Sequence, residues 1–122
     1  MAQRKFDLEE RLTVFAARTI AYVDRMPSTM AGRYYGGQLL RSAGSPALHY
    51  GEAQAAESNA DFIHKCKIAL KELKESRVNL RIQAIAHVMP PADPDLMWMS
   101  QECEELVRIM AKIIANSKGR GA

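Results

Sequence analysis

The feature that most constrains this chain is the spacing of its apolar residues, which recur at steps of three and four in four segments. The spacing is strictest in the last segment, at Leu96, Met99, Cys103, Leu106, Met110 and Ile113. It places the apolar side chains on one face of an α-helix, and that face must be covered by other helices. No segment shows the two-residue alternation of a β-strand. The sequence therefore predicts an all-α protein.

Start and stop signals divide the chain into four helices, at about residues 7–26, 30–56, 59–86 and 94–117. Each helix start carries side-chain oxygens that can cap free amides. The candidate caps are Asp7, Ser28 or Thr29, Ser58 and Asp93. Gly119 suits the C-terminal end of the fourth helix. Four helices with short connections predict a single domain over residues 1–122, an up-down-up-down four-helix bundle.

Gly44 and Pro46 interrupt the second helical segment. Proline removes a backbone donor and clashes with the carbonyl four residues before it, at a cost of about 3 kcal/mol inside a helix. Such a break marks either a boundary between two helices or a kink within one. On the residues alone, both interpretations stay open.

The composition indicates where in the cell the protein is found more clearly than it indicates a function. A net charge of +3 and a pI near 9.0 permit contact with nucleic acid without requiring it. Cys66 and Cys103 lie within apolar helical patterns, which favours small buried thiols over a disulfide. The first residues lack the apolar core of a signal peptide, and no segment approaches the roughly 20 apolar residues that span a bilayer. We therefore expect a cytoplasmic protein without membrane contact.

Patterns of catalysis and metal binding are missing from the sequence. Gly36-Gly37 is not followed by the Lys-Ser/Thr of a phosphate-binding loop. The histidines, His49, His64 and His87, include no pair with the four-residue helical spacing of a zinc site. We therefore expect no catalytic residue, no cofactor and no metal, and a protein that is not an enzyme.

The third helix carries what we call the basic line, whose members are Lys67, Lys71, Lys74, Arg77 and Arg81. Steps of three and four align them over about four turns. One interpretation is a solvated face laced with Glu72 and Glu75. A second is a surface for phosphates, to which Arg41 would contribute. A third is a set of ion-pair partners for a neighbouring subunit.

Three blocks, at residues 38–52, 61–76 and 104–114, resemble one protein family in their order and spacing. The most distinctive stretch is Ser45-Pro-Ala-Leu-His-Tyr-Gly-Glu52. The blocks are similar to those of the small four-helix-bundle proteins encoded in intervening sequences of bacterial 23S ribosomal RNA genes. That family includes the accessory variability determinant of diversity-generating retroelements, and it is sometimes called a ribosomal protein family.

The resemblance implies a bundle that assembles into a ring-shaped homopentamer. Assembly would give a place to Tyr34, Tyr35 and the apolar residues of helix four outside its main row, which are Val107, Ile109 and Ile114. Other members are helical through residues 41–52, so the resemblance favours one helix that is kinked near Gly44 and Pro46. His49 stands where the family carries asparagine, which removes any role of that asparagine side chain here.

Two functions follow as hypotheses. The first is a non-enzymatic accessory protein that binds RNA or DNA through Arg41, Lys67, Lys71, Lys74, Arg77 and Arg81, with a reverse transcriptase or another protein as a further partner implied by the resemblance. The second is an interaction scaffold, in which the basic line forms salt bridges with subunits or partners.

Overall fold

The computed structural model describes residues 7–121, with side chains as far as Gly119, and the regular structure in that range is entirely helical. The helices are α1 (Leu8–Asp24), α2 (Met30–Gln54), α3 (Asn59–Ile85) and α4 (Pro94–Gly121). Each helix packs against the next in the chain, and α4 also contacts α1. Short connections make successive helices antiparallel. The predicted all-α class is confirmed, and the arrangement is that of a four-helix bundle.

Side-chain caps set where the helices begin. Asp7, Thr29 and Ser58 each accept a hydrogen bond of 3.0 Å from an amide three residues further on. Asp93 accepts from two amides of the first turn of α4, both at 3.1 Å. Each cap satisfies donors that have no partner within the helix. The predicted caps are confirmed, with Thr29 rather than Ser28 at the start of α2.

The predicted end of the fourth helix is wrong. α4 continues through Gly119 to Gly121, and no glycine among residues 7–121 takes the left-handed backbone of a helix cap. The last turns are held by α3, because the Asn59 side chain donates a 2.9 Å hydrogen bond to the carbonyl of Ser117. A glycine costs only about 1 kcal/mol inside a helix, so Gly119 does not by itself end α4.

α2 is helical without interruption from Met30 to Gln54, although Pro46 lies in its interior. One helix rather than two therefore passes through the Gly44–Pro46 segment, whereas a kink there stays a prediction. Pro46 is buried on the face that carries Leu39 and Ala43. The Pro46 ring thus packs into the core, and the helix loses one backbone hydrogen-bond donor at this position.

Two of the apolar residues that were expected to need a neighbouring subunit are covered within the chain. Val107 and Ile114 are each only 6% exposed, and Ile109 is half-buried. The physical reason is that α4 packs against both α1 and α3, so it buries more than one row of side chains. Their apolar character is therefore no argument for assembly.

The buried face of α3 is partly polar. Tyr22 donates a 2.7 Å hydrogen bond to Gln83 Oε1, and Gln83 Nε2 donates at 2.7 Å to Asn79 Oδ1. Asn79 in turn donates to the carbonyl of Tyr35 at 3.1 Å. This network joins α1, α3 and α2 through the core, and it satisfies polar groups whose burial would otherwise be costly.

Candidate nucleic-acid interface

The solvent-facing side of α3 carries two rows of exposed residues, each with seven-residue spacing. The all-basic row consists of Lys67, Lys74 and Arg81. The mixed row consists of Lys71, Val78 and Ile85. Seven residues are close to two full turns, so members of a row stand above one another. The core residues of α3 occupy the opposite side of the helix.

The cations of these rows are not neutralised by neighbours. Within residues 7–119, Lys67, Lys71, Lys74 and Arg81 form no ion pair and no side-chain hydrogen bond. Their charges therefore act on the solvent and on whatever binds there. An exposed group of unpaired cations along about 21 Å of helix is an electrostatic match for a polyanion.

The acidic residues of α3 do not lace the basic line. Glu72 and Glu75 turn towards α2, where both accept hydrogen bonds from Arg41. The Arg41–Glu72 contact is 2.6 Å long, and these hydrogen bonds raise the pKa of the guanidinium above its usual value. Arg41 also contacts Gln38. The structure thus places Arg41 beside α3 with its charge offset, and not in either row.

Arg77 lies on the side of α3 that faces α4. Its guanidinium is 3.6 Å from the carboxylate of Glu104, so part of its charge is also offset. Arg108 follows Glu104 by one helical turn and is exposed, which puts a further cation on this side of the bundle. Reasoning from the sequence missed Arg108, although its position four residues after Glu104 carried the signal.

The cysteines do not supply a reactive group. Burial raises the pKa of the Cys66 thiol to about 11 and that of Cys103, the more deeply buried of the two, to about 12. Both thiols are therefore protonated at neutral pH, and a protonated thiol is a poor nucleophile. Cys103 donates a weak hydrogen bond to the carbonyl of Leu73 instead.

Residues 7–121 contain neither a cluster of metal-binding side chains nor a membrane-spanning helix. No group of three His, Cys, Asp or Glu side chains is placed to hold a metal ion. None of the helices in that range combines the length and the apolar character needed to cross a bilayer.

Comparison with known proteins shows that this bundle is similar to a solved structure. No family model and no curated protein matches the sequence. A crystal structure of a protein of unknown function from the S23 ribosomal protein family of Bacteroides thetaiotaomicron superposes with a TM-score of 0.76 at 24% identity, over 88% of this chain and 98% of that chain.

The chain has the S23 family's fold. S23 is the ribosomal label of the family that the sequence resembles, so the resemblance is confirmed at the level of the fold. The S23-type neighbour is itself of unknown function, so the fold carries no activity with it.

Proposed function

We propose that this chain is a self-associating four-helix bundle without enzymatic activity, which binds RNA or DNA through the all-basic row and Lys71. One observation carries the proposal: these cations of α3 are exposed and unpaired, whereas Glu72 and Glu75 of the same helix are bound to Arg41. The homopentameric ring, the cytoplasmic location and a protein partner such as a reverse transcriptase come from the sequence resemblance and belong to the same proposal.

The chemistry of the surface indicates backbone contact rather than base recognition. Lysine and arginine neutralise phosphates and release counterions, which makes binding depend steeply on salt. The all-basic row has no aromatic side chain on which a base could stack. We therefore infer that the protein recognises charge and shape and has little preference for sequence. Three or four phosphate contacts correspond to a slope of about −3 in log K against log salt concentration.

The test measures binding to duplex DNA and to structured RNA across a salt series. The double variant K67Q/K74Q should lower the affinity at low salt and reduce the magnitude of the slope by about 1.5 to 2. The matched control is R33Q/K112Q, which removes the same charge from exposed residues of α2 and α4. An unchanged slope in K67Q/K74Q, or a flat salt response of the unmodified protein, would contradict the proposal.

A second candidate function is an interaction scaffold, and the mixed row favours it. Val78 is 52% exposed and Ile85 is 73% exposed, and phosphate binding uses neither side chain. If the basic line instead pairs with a neighbouring subunit, the charge reversals K74E/R77E should break the oligomer. Light scattering would show the lower mass, and an unchanged mass would count against this candidate.

A further inference from the structure

An apolar groove between α1 and α2 is left open by the residues that the structure describes. It has a volume of about 550 Å³. α1 lines it with Glu9, Thr13, Ala16 and Ile20, and α2 lines it with Leu40, Gly44, Ala47, Leu48 and Gly51. Ile20, Leu40 and Leu48 are 56%, 44% and 70% exposed. Removing such side chains from water is favourable, so the groove is suited to a partner.

On the side of α2 that faces this groove, glycines recur at a regular spacing. Gly44 and Gly51 line the groove, and Gly37 lies beyond it, seven residues before Gly44 on the same face of α2. Nothing lies within 4 Å of the position that a Cβ would occupy on any of the three. Each glycine therefore leaves a hollow, and the hollows repeat about every 10.5 Å along the helix. A helix with side chains at the same repeat could seat one of them in each hollow.

The mixed row of α3 has that repeat. Lys71, Val78 and Ile85 project into solvent at seven-residue spacing, on a part of the molecule separate from the groove. We propose that the mixed row of one copy packs into the α1–α2 groove of a second copy. This inference rests on the self-association in the proposed function and names the two surfaces that make it.

Charge decides the direction of the contact. The groove carries the exposed carboxylate of Glu9 at its Gly51 end and the apolar Ile20 towards the other end. The mixed row also has one charged end, the basic Lys71, and is apolar at Val78 and Ile85. Copies that stand side by side in the same direction bring Lys71 to the Glu9 end. Seating the mixed row on the glycines of α2 then sets the register, in which Lys71 meets Gly51, Val78 meets Gly44 and Ile85 meets Gly37 beyond the end of the groove.

The contact is between two different surfaces, because the groove belongs to α1 and α2 and the row to α3. Such a contact continues from copy to copy and generates a ring when the rotation closes. A pair joined by one such contact keeps an unused groove on one copy and an unused row on the other, so further copies can add. The all-basic row lies beside the mixed row and outside the contact, so its three cations stay available to phosphate in the assembly, whereas Lys71 can reach phosphate only in a free copy.

The test uses two variants of the full chain with defects on opposite sides of the contact. Gly44→Leu fills a hollow that is empty within the chain, so it should leave the fold intact and favour the helix. Val78→Glu places a charge on an exposed position of the mixed row. Each variant should be a monomer by light scattering, and their mixture should form a heterodimer, because one intact groove and one intact row remain. Met97→Glu, at an exposed apolar position of α4, is the control and should keep the wild-type mass.

Charge exchange supplies an independent arm. Glu9→Lys and Lys71→Glu should each weaken the assembly, and the double variant should restore it. If the wild type assembles and both G44L and V78E keep its mass, this inference fails while self-association stands. A wild type that stays monomeric at every concentration overturns both, and it would leave the groove open to another protein. The K67Q/K74Q binding experiment decides the nucleic-acid proposal separately.

Discussion

His87 is the one non-glycine residue among residues 7–121 with a left-handed backbone, at a φ of 57°. The conformation is imposed by the end of α3. The amide of Val88 donates to the carbonyl of Gln83 at 2.9 Å, and the amide of His87 donates to that of Ala84 at 3.3 Å. This pair of hydrogen bonds is the Schellman motif, in which the position of His87 usually belongs to glycine. A side chain there costs about 1 kcal/mol.

His87→Gly should therefore stabilise the protein, by about 0.5 to 1 kcal/mol in the free energy of unfolding, since relief of backbone strain exceeds the extra entropy of the unfolded chain. Urea denaturation measures the change. The matched control is His64→Gly at an exposed position inside α3, which should destabilise by about 0.5 kcal/mol. A loss of stability in H87G would show that the His87 side chain has a stabilising role of its own.

At the scale of the element, α3 differs from the other helices in burying Ser76, Asn79 and Gln83 along its core face. Ser76 shares a 2.7 Å hydrogen bond with Ser42 of α2, and Gln83 bonds Tyr22 of α1. Directional bonds of this kind are made in one helix register only, whereas apolar contacts tolerate sliding. Burial also raises the pKa of the Tyr22 hydroxyl well above its usual range, so the group stays a donor.

Tyr22→Phe should destabilise the bundle by about 1 to 2 kcal/mol, because it leaves the buried Gln83 carbonyl oxygen without its donor. A cycle of Y22F, Q83M and the double variant should show coupling of about 0.5 kcal/mol or more. Urea denaturation supplies the free energies. Tyr34→Phe, at a residue that is 59% exposed, is the control and should stay within about 0.5 kcal/mol of the wild type. Additive effects in the cycle would mean that the hydrogen bond contributes nothing.

At the scale of the whole molecule, the cations divide into two groups. Arg11 and Arg18 of α1 and the residue after the helix, Arg25, repeat every seven residues and contact acidic residues in and before α4. Arg11 lies 2.7 Å from Glu102, and Arg25 lies 2.9 Å from Asp93. Arg18 stacks 3.7 Å above the Trp98 ring. The charges of these three arginines are thus offset by partners within the chain. The net positive charge that remains unpaired lies on α3.

Acid should loosen this α1–α4 contact. The hydrogen bond from Arg25 lowers the pKa of the Asp93 carboxyl, helped by the amides of α4. A lowered folded-state pKa means that the stabilisation is complete above the unfolded value of about 3.9 and is lost as the pH falls through the folded value. The free energy of unfolding should therefore decrease on acidification below about pH 4. Arg25→Gln should flatten that decrease in urea titrations at several pH values, whereas Arg33→Gln should not. Parallel pH profiles for wild type and R25Q would contradict this assignment.

Features that depend on interactions between neighbouring residues could be predicted from the sequence, whereas contacts between distant residues could not. The caps Asp7, Ser58 and Asp93 act on amides within three residues, and the helices that they begin were predictable from spacing alone. The pairing of Arg41 with Glu72 joins residues 31 positions apart, and nothing local in the sequence indicates it.

The groove along α2 was hidden from the sequence for a similar reason. From the sequence, Gly44 with Pro46 predicts a boundary or a kink in the helix, because the cost of glycine is a local property. Its importance lies in the empty space beside it, which depends on where α1 packs. The sequence likewise does not show that Val78 and Ile85 are exposed while other apolar residues of α3 are buried, because all of them are apolar.

The exposed all-basic row has a consequence for avidity. If nucleic acid binds here as proposed, a single copy offers it only three or four phosphate contacts, which is weak binding at physiological salt. A ring repeats the row around its circumference, so a strand that is held by one copy meets the next at a high effective concentration. Binding would then rise steeply with assembly and with the length of the nucleic acid, and oligonucleotides too short to reach a second copy would bind weakly.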